Sequence, residues 1–189
     1  MTAPKNLMWS NALFPDAPAQ SFRDWPDVSL PRWAAGVYTI WHESSFLYVG
    51  MAGAKDVTEN EILVKKQKGK GKAWGLRDRL GSHASDRRSG DQFCVYVADR
   101  CILAALTPLN IDAIADGSAE QSIDDRVKRY VREHFSFRYW ESRDGLEALR
   151  VEDEILSGES LELFSKFGLP LLNCVIVDGI SARTRHSGS

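Results

Sequence analysis

The densest chemical signal in the sequence lies between Lys65 and Arg88. Nine basic residues stand there against the two acids Asp78 and Asp86, so the window carries +7 and leaves −9 for the remainder of a chain whose net charge is −2. Lys65, Lys66, Lys68, Lys70 and Lys72 alternate with Gly69 and Gly71. That composition predicts a mobile loop able to settle against a phosphate backbone, with Arg77, Arg87 and Arg88 extending the charge. Each such contact adds salt-dependent, sequence-independent affinity. The plain alternative is a solvated loop. Within the window Arg79 and His83 stand at i, i+4, a spacing that puts both on one face of a helix. Tyr38 and Tyr48 precede them on two β-rich runs, and the acidic run Glu152, Asp153, Glu154 lies further along the chain. A guanidinium that grips an anion, an imidazole and phenols that move a proton, and a carboxylate that ligates a hard cation form a set able to act on a phosphate ester.

Each member also has an ordinary structural reading. The tyrosines suit the core of a hairpin, Arg79 one more phosphate contact, and His83 the negative end of a helix. Glu152 suits a solvated acidic face, with Glu154 as the alternative ligand, and Asn173 a turn. His42, His134 and His186 share no metal-ligand spacing. Cys94, Cys101 and Cys174 are an odd number without a CxxC pair, which argues against disulfides and zinc and for small buried hydrophobes.

The elements that would position these groups can be read in order. The chain of 189 residues, 43% of them hydrophobic, suits one domain. Residues 1–35 hold five of the seven prolines together with Trp9, Phe14, Phe22, Trp25 and Trp33. This predicts an arm draped over the domain and pinned by its rings. GVYTIWH, ESS and FLYVG read as strand, turn and strand. Residues 54–72 are polar and lysine-rich, and a helix is expected next, around Trp74, Leu76 and Leu80. QFCVYVA, after the turn at Ser89 to Asp91, alternates as a third strand would. Residues 100–118 are ambiguous around Pro108. Ala119 to Phe135 is rich in helix formers, and FSFRYWES suits a strand or a strand-like edge. DGLEALRVEDEILSG reads as a helix capped by Asp144. A short helix from Glu159 to Phe167 precedes LPLLN, residues 176–189 form the C-terminal tail, and its final ISARTRHSGS reads as polar, small and frayed. The start of the chain lacks the layout of a signal peptide, and no apolar run reaches the roughly 20 residues of a membrane span, so a cytoplasmic location with no membrane partner is expected.

Gly36-Val37-Tyr38 and Tyr48-Val49-Gly50 on the two strands of a hairpin resemble the paired motif that names the GIY-YIG nuclease family. Valine stands where the family has isoleucine. Downstream of the hairpin the order of residues resembles the family too: Arg79 and His83 on the next helix, Glu152 within Ala148-Leu149-Arg150-Val151-Glu152-Asp153-Glu154-Ile155, and Asn173 after Leu169-Pro170-Leu171-Leu172. The resemblance covers residues 36–173 and departs from compact members at two enlarged stretches, 54–72 and 100–140. Restriction endonucleases of the family carry additions of this kind to enclose and read DNA.

The resemblance implies an α+β fold, with a small, mostly antiparallel sheet over residues 36–175, flanked by the Arg79 and Glu152 helices. It implies a metal-dependent endonuclease that cuts double-stranded DNA in the manner of a restriction enzyme, using Mg²⁺ or Mn²⁺. Glu152 would be the metal ligand and Arg79 the phosphate clamp. Tyr38 would be the general base with His83 as its neighbour, Tyr48 would orient water or phosphate, and Asn173 would brace the site. One such site cuts one strand, so double-strand cleavage implies a homodimer or two binding events. The alternatives are a repair, single-strand-specific or mobile-element nuclease, or a catalytically silent nucleic-acid-binding module.

Overall fold

The computed structural model describes residues 9–26, 29–85, 88–158, 165–177 and 180–183. In chain order its regular elements are α1 (Ser10–Leu13), β1 (Gln20–Ser21), β2 (Trp33–Ala34), β3 (Gly36–His42), β4 (Ser45–Ala52), α2 (Glu59–Lys68), β5 (Trp74–Gly75), α3 (Leu76–His83), α4 (Gln92–Val97), α5 (Pro108–Ala115), α6 (Ile123–His134), β6 (Phe135–Glu141), α7 (Gly145–Ser157), β7 (Cys174–Val177) and β8 (Ile180–Arg183). The fold is α+β. Its main sheet is antiparallel in the order β1-β6-β3-β4, so β4 is an edge strand.

β3 and β4 are the hairpin expected from the sequence, turning through Glu43 at φ 54° with His42 paired to Ser45. A positive φ there matches the twist of a two-residue hairpin turn. Alternation along β3 divides the core in two. Tyr38 and Ile40 face a cluster with Leu76, Leu80, Phe93, Val127 and Val131 from α3, α4 and α6. Val37 and Trp41 face a second cluster with Ala148, Val151 and Ile155 of α7. The sheet is thus covered on both faces. Leu13 and Phe14 of the N-terminal arm enter the second cluster and Phe22 the first.

Three expectations are corrected. QFCVYVA is helical, with Gln92–Val97 as α4 and Ala98 opening the helical turn after it, and is not a third strand. Phe93, Cys94, Val97 and Ala98 are the buried residues, an i, i+1, i+4, i+5 pattern that a helix satisfies and a strand does not. The mobile loop expected around the lysines is in part a helix, because Glu59 to Lys68 form α2, started by a capping box between Thr58 and Glu61 and ended at Gly69 in the left-handed region. FSFRYWES is the strand expected of it, and as β6 it lies between β1 and β3. The second enlarged stretch therefore ends inside the main sheet. The frayed tail is in part a hairpin, since the β-branched run of β7 pairs with β8. Residues 159–164 of the expected short helix, Arg87, and residues 184–189 with His186 lie outside the described residues.

The ambiguous segment around Pro108 resolves into α5, with Pro108 in its first turn and a Thr107 capping box. The arginine helix begins later than the sequence suggests. Trp74 and Gly75 pair in parallel with Trp33 and Ala34 before α3 starts. A Cβ on Gly75, whose φ is +76°, would lie 1.8 Å from the Ala34 carbonyl oxygen, so glycine is what lets the chain pass there.

Candidate active site

Pairing of β3 with β4 sets Tyr38 opposite Gly50 and Ile40 opposite Tyr48, which places both tyrosines on the α3 face of the sheet. Their ring centroids are 6.3 Å apart. Tyr38 is buried, and its Oη lies 2.7 Å from Nε2 of His83, the last residue of α3 and itself buried. The other imidazole nitrogen, Nδ1, lies 2.7 Å from Oδ2 and 3.0 Å from Oδ1 of Asp91. Asp91 is also buried. It caps α4, with Oδ1 accepting from the backbone N–H groups of Phe93 at 3.1 Å and Cys94 at 3.4 Å. A continuous hydrogen-bonded chain, Tyr38 to His83 to Asp91, thus runs under the sheet.

Arg79 stands one helical turn before His83 and is exposed. It lines a cavity of about 620 Å³ together with Met51, Gly53, Trp74, Ser82 and Leu149. From the other face α7 brings Glu152 to the edge of β4, where its Oε1 accepts from the Met51 N–H at 2.9 Å. Asn173 meets the same edge two residues earlier. Its Oδ1 accepts from the Val49 N–H at 2.8 Å and its Nδ2 donates to the Val49 carbonyl at 2.9 Å. Leu172 N–H donates to the Leu47 carbonyl at 2.7 Å, continuing the cover. The unpaired backbone of an edge strand is thereby satisfied by side chains and by the LPLLN segment.

The charges in this region act on one another. Burial pushes the Tyr38 phenol well above its ordinary value, Tyr48, Asp91 and Glu152 push the same way, and Arg79 opposes them. Tyr48 is raised for the same leading reason, with Glu152 next. The guanidinium of Arg79 is raised by its acidic neighbours, the Tyr38 phenol first and then Tyr48, Asp91 and Glu152, against the opposing effect of burial. Burial lowers His83 below the ordinary imidazole range, against the pull of Asp91. Burial also raises Asp91, but the hydrogen bond from His83 and the α4 amides outweigh that and hold its carboxyl below the usual range.

All six of Tyr38, Tyr48, Arg79, His83, Glu152 and Asn173 therefore lie on or against the β3-β4 hairpin and α3. The basic residues are more scattered. Lys65, Lys66 and Lys68 occupy the last turn of α2, with Lys65 5.6 Å over the Trp74 ring, and Lys70 and Lys72 come after it. Lys66 pairs with Glu141 at 3.3 Å and Lys72 with Asp78 at 3.0 Å, while Arg88 pairs with Asp124. Arg77 donates to the Leu30 carbonyl at 3.4 Å. Exposed ion pairs of this kind hold a lysine weakly. Asp91 is the group that sequence reading passed over, because Ser89-Gly90-Asp91 read as a turn. An aspartate directly before an apolar run was the available sign of a helix cap.

Among the described residues no group of three or more His, Cys, Asp or Glu gathers to hold a metal. The carboxylate of Glu152, held against the amide of Met51 in the cavity wall, is a ligand type that suits a hard cation keeping most of its shell as water and phosphate oxygen. The chain matches no protein-family model, and no curated protein or solved structure matches it at a significant level.

Proposed function

We propose that this chain is a divalent-metal-dependent DNA endonuclease of the GIY-YIG type, cutting double-stranded DNA in the manner of a restriction enzyme. The observation that carries the reading is the 2.7 Å contact between Tyr38 Oη and His83 Nε2, one helical turn from an exposed arginine that lines a cavity. Residues chosen by motif order alone meet there in a proton-transfer geometry.

Hydrolysis needs a water to lose a proton, charge on phosphorus to be neutralised, and the leaving oxygen to be helped away. Burial keeps Tyr38 protonated at neutral pH. Its phenol accepts a proton from water only as it passes its own to His83 Nε2, so the imidazole is the net acceptor. Lowered basicity keeps that imidazole neutral and ready at neutral pH. Arg79 grips two oxygens of the scissile phosphate with its planar fork. Tyr48, partly buried beside Tyr38, orients water or phosphate. Glu152, oriented by the Met51 amide, is assigned as the ligand of Mg²⁺ or Mn²⁺, which supplies Lewis-acid stabilisation when bound. Asn173 hydrogen-bonds the Val49 backbone and braces β4. Lys65, Lys66, Lys68, Lys70 and Lys72 flank the site as phosphate contacts, with Arg77 and Arg88 beyond them.

The test is magnesium-dependent cleavage of mixed-sequence plasmid and of single-stranded DNA by wild type, Arg79→Ala and Glu152→Ala. Discrete duplex fragments that vanish in both variants support the reading, and a double-strand cut by a dimer would give a cooperative dependence on enzyme concentration. Cleavage of single strands alone replaces it with a repair or mobile-element nuclease. Salt-dependent binding without any cut makes the chain a binding module and removes the mechanism.

A further inference from the structure

The buried carboxylate of Asp91 has no part in the proposed hydrolysis. It is 3% exposed, sits 2.7 Å from His83 Nδ1, and is fixed by two backbone N–H groups of α4. An ionised carboxylate only accepts hydrogen bonds, so the nitrogen facing it must carry a proton. His83 Nε2 is then left with its lone pair toward Tyr38 Oη.

We propose that Asp91 is a positioning residue of this site, whose carboxylate locks His83 in the Nδ1–H tautomer so that Nε2 can receive the proton of the Tyr38 hydroxyl. Its consequence for catalysis rests on the nuclease reading. The proton balance is closed: water gives one proton to the Tyr38 oxygen, that oxygen gives its own to Nε2, and the resulting imidazolium faces the Asp91 carboxylate. Without the carboxylate the imidazole is free to rotate or to take the Nε2–H tautomer, which donates to Tyr38 and blocks the transfer. The titratable groups bearing on the pair are Tyr48 from β4, Arg79 from α3 and Glu152 from α7, besides Asp91 itself. The Asp91 carboxylate is the group on Nδ1 of the imidazole, and as a pure acceptor it sets the tautomer.

Asp91→Asn separates this role from helix capping, because asparagine is as good a cap as aspartate. The imidazole ¹⁵N shifts of His83 in the full chain, assigned by their loss in His83→Gln, report the tautomer without any substrate. The expected result is an Nδ1–H tautomer in wild type at neutral pH and a mixed or Nε2–H population in Asp91→Asn, read at a temperature where both chains are fully folded. Plasmid cleavage with Mg²⁺ should fall on the order of 10²-fold or more in that variant, as in other carboxylate-histidine pairs that lose the carboxylate. Its pH profile should shift on the acid limb. An Nε2–H tautomer in wild type, or an unchanged tautomer and rate in Asp91→Asn, overturns the proposal. The expected tautomers with no cleavage by wild type support the hold of Asp91 on His83 and overturn the nuclease reading instead.

Discussion

Gly50 faces the hydroxyl of Tyr38 across the hairpin so closely that a Cβ on it would lie 2.4 Å from Tyr38 Oη and 3.0 Å from Tyr48 Cε1. The final glycine of Tyr48-Val49-Gly50 therefore leaves the space in which the Tyr38 hydroxyl reaches His83. Gly50→Ala should push the Tyr38 ring off Nε2, because a ring wedged in a sheet has no slack like that of a lysine tip. The expected cost is about 1–3 kcal/mol of stability, read as a shift in the urea midpoint. On the nuclease reading a cleavage loss larger than the unfolded fraction explains should accompany it.

Acid should destabilise the fold in two steps. Burial lowers His83 from its ordinary 6.5, so the native state resists the protonation that the unfolded chain accepts. Its contribution is intact above about pH 6.5 and is lost as pH falls toward the lowered native value. Asp91, lowered from 3.8, contributes stability that persists above that value and is lost as pH falls further. Urea midpoints measured across this range should fall on acidification, and His83→Gln should flatten the upper step. An unchanged upper slope in that variant would assign the step to other groups.

The hairpin and the Glu152 helix were legible in the sequence because their patterns are local. Alternating β-rich runs flank a short polar turn, and Asp144 caps α7, its side chain accepting from the Glu147 N–H at 2.8 Å. QFCVYVA misleads because an apolar run of six or seven residues satisfies both periods, and the decision is made by Asp91, whose carboxylate ties down the first amides of α4. The lysine-rich stretch resembles a loop because its composition is polar, yet Ile62 buries against the domain at 5% exposure and a capping box starts the helix. Motif order named Tyr38 and His83, but not that Asp91 stands behind them. That contact joins a helix end to the next helix start, and no periodicity carries it.

Asn173 should be structural rather than chemical. Its amide closes both hydrogen-bonding groups of Val49, a residue with 0% exposure on the edge strand. Asn173→Ala leaves a buried N–H and C=O without these partners, at a cost of about 1–3 kcal/mol. Equilibrium unfolding measures that cost. A cleavage rate per folded molecule close to wild type would fit a brace, whereas a loss of chemistry at unchanged stability would place the side chain at the phosphate.

Arg79→Lys should separate charge from geometry. Arg79 is exposed and lysine keeps its charge, so the melting temperature should stay within about 2 °C, as for surface substitutions worth less than about 0.5 kcal/mol. An ammonium keeps the positive charge but presents a point rather than a planar fork, so phosphate binding survives in part while the two-oxygen grip is lost. On the nuclease reading single-turnover cleavage should fall by about 10²–10³-fold, the range seen when one preorganised donor to a developing charge is removed. A rate within a few fold of wild type would reduce Arg79 to one cation among several.

Binding to duplex DNA should be steep in salt although the chain is acidic overall, because the basic window is segregated from the −9 carried elsewhere. Lys68 and Lys70 are exposed at and just beyond the end of α2. Replacing each with alanine should reduce the slope of log K against log salt by about 0.9, the value for one phosphate contact on B-form DNA. Lys128→Ala, on α6 and outside that window, should leave the slope unchanged. Fluorescence anisotropy titrations at several salt concentrations, in Ca²⁺ to suppress cutting, give these slopes directly. Equal effects from all three substitutions would mean that DNA senses overall charge rather than a surface beside Arg79. A selective effect of Lys68 and Lys70 would set the duplex along α2, whose Lys65 lies over Trp74 in the wall of the cavity that Arg79 also lines.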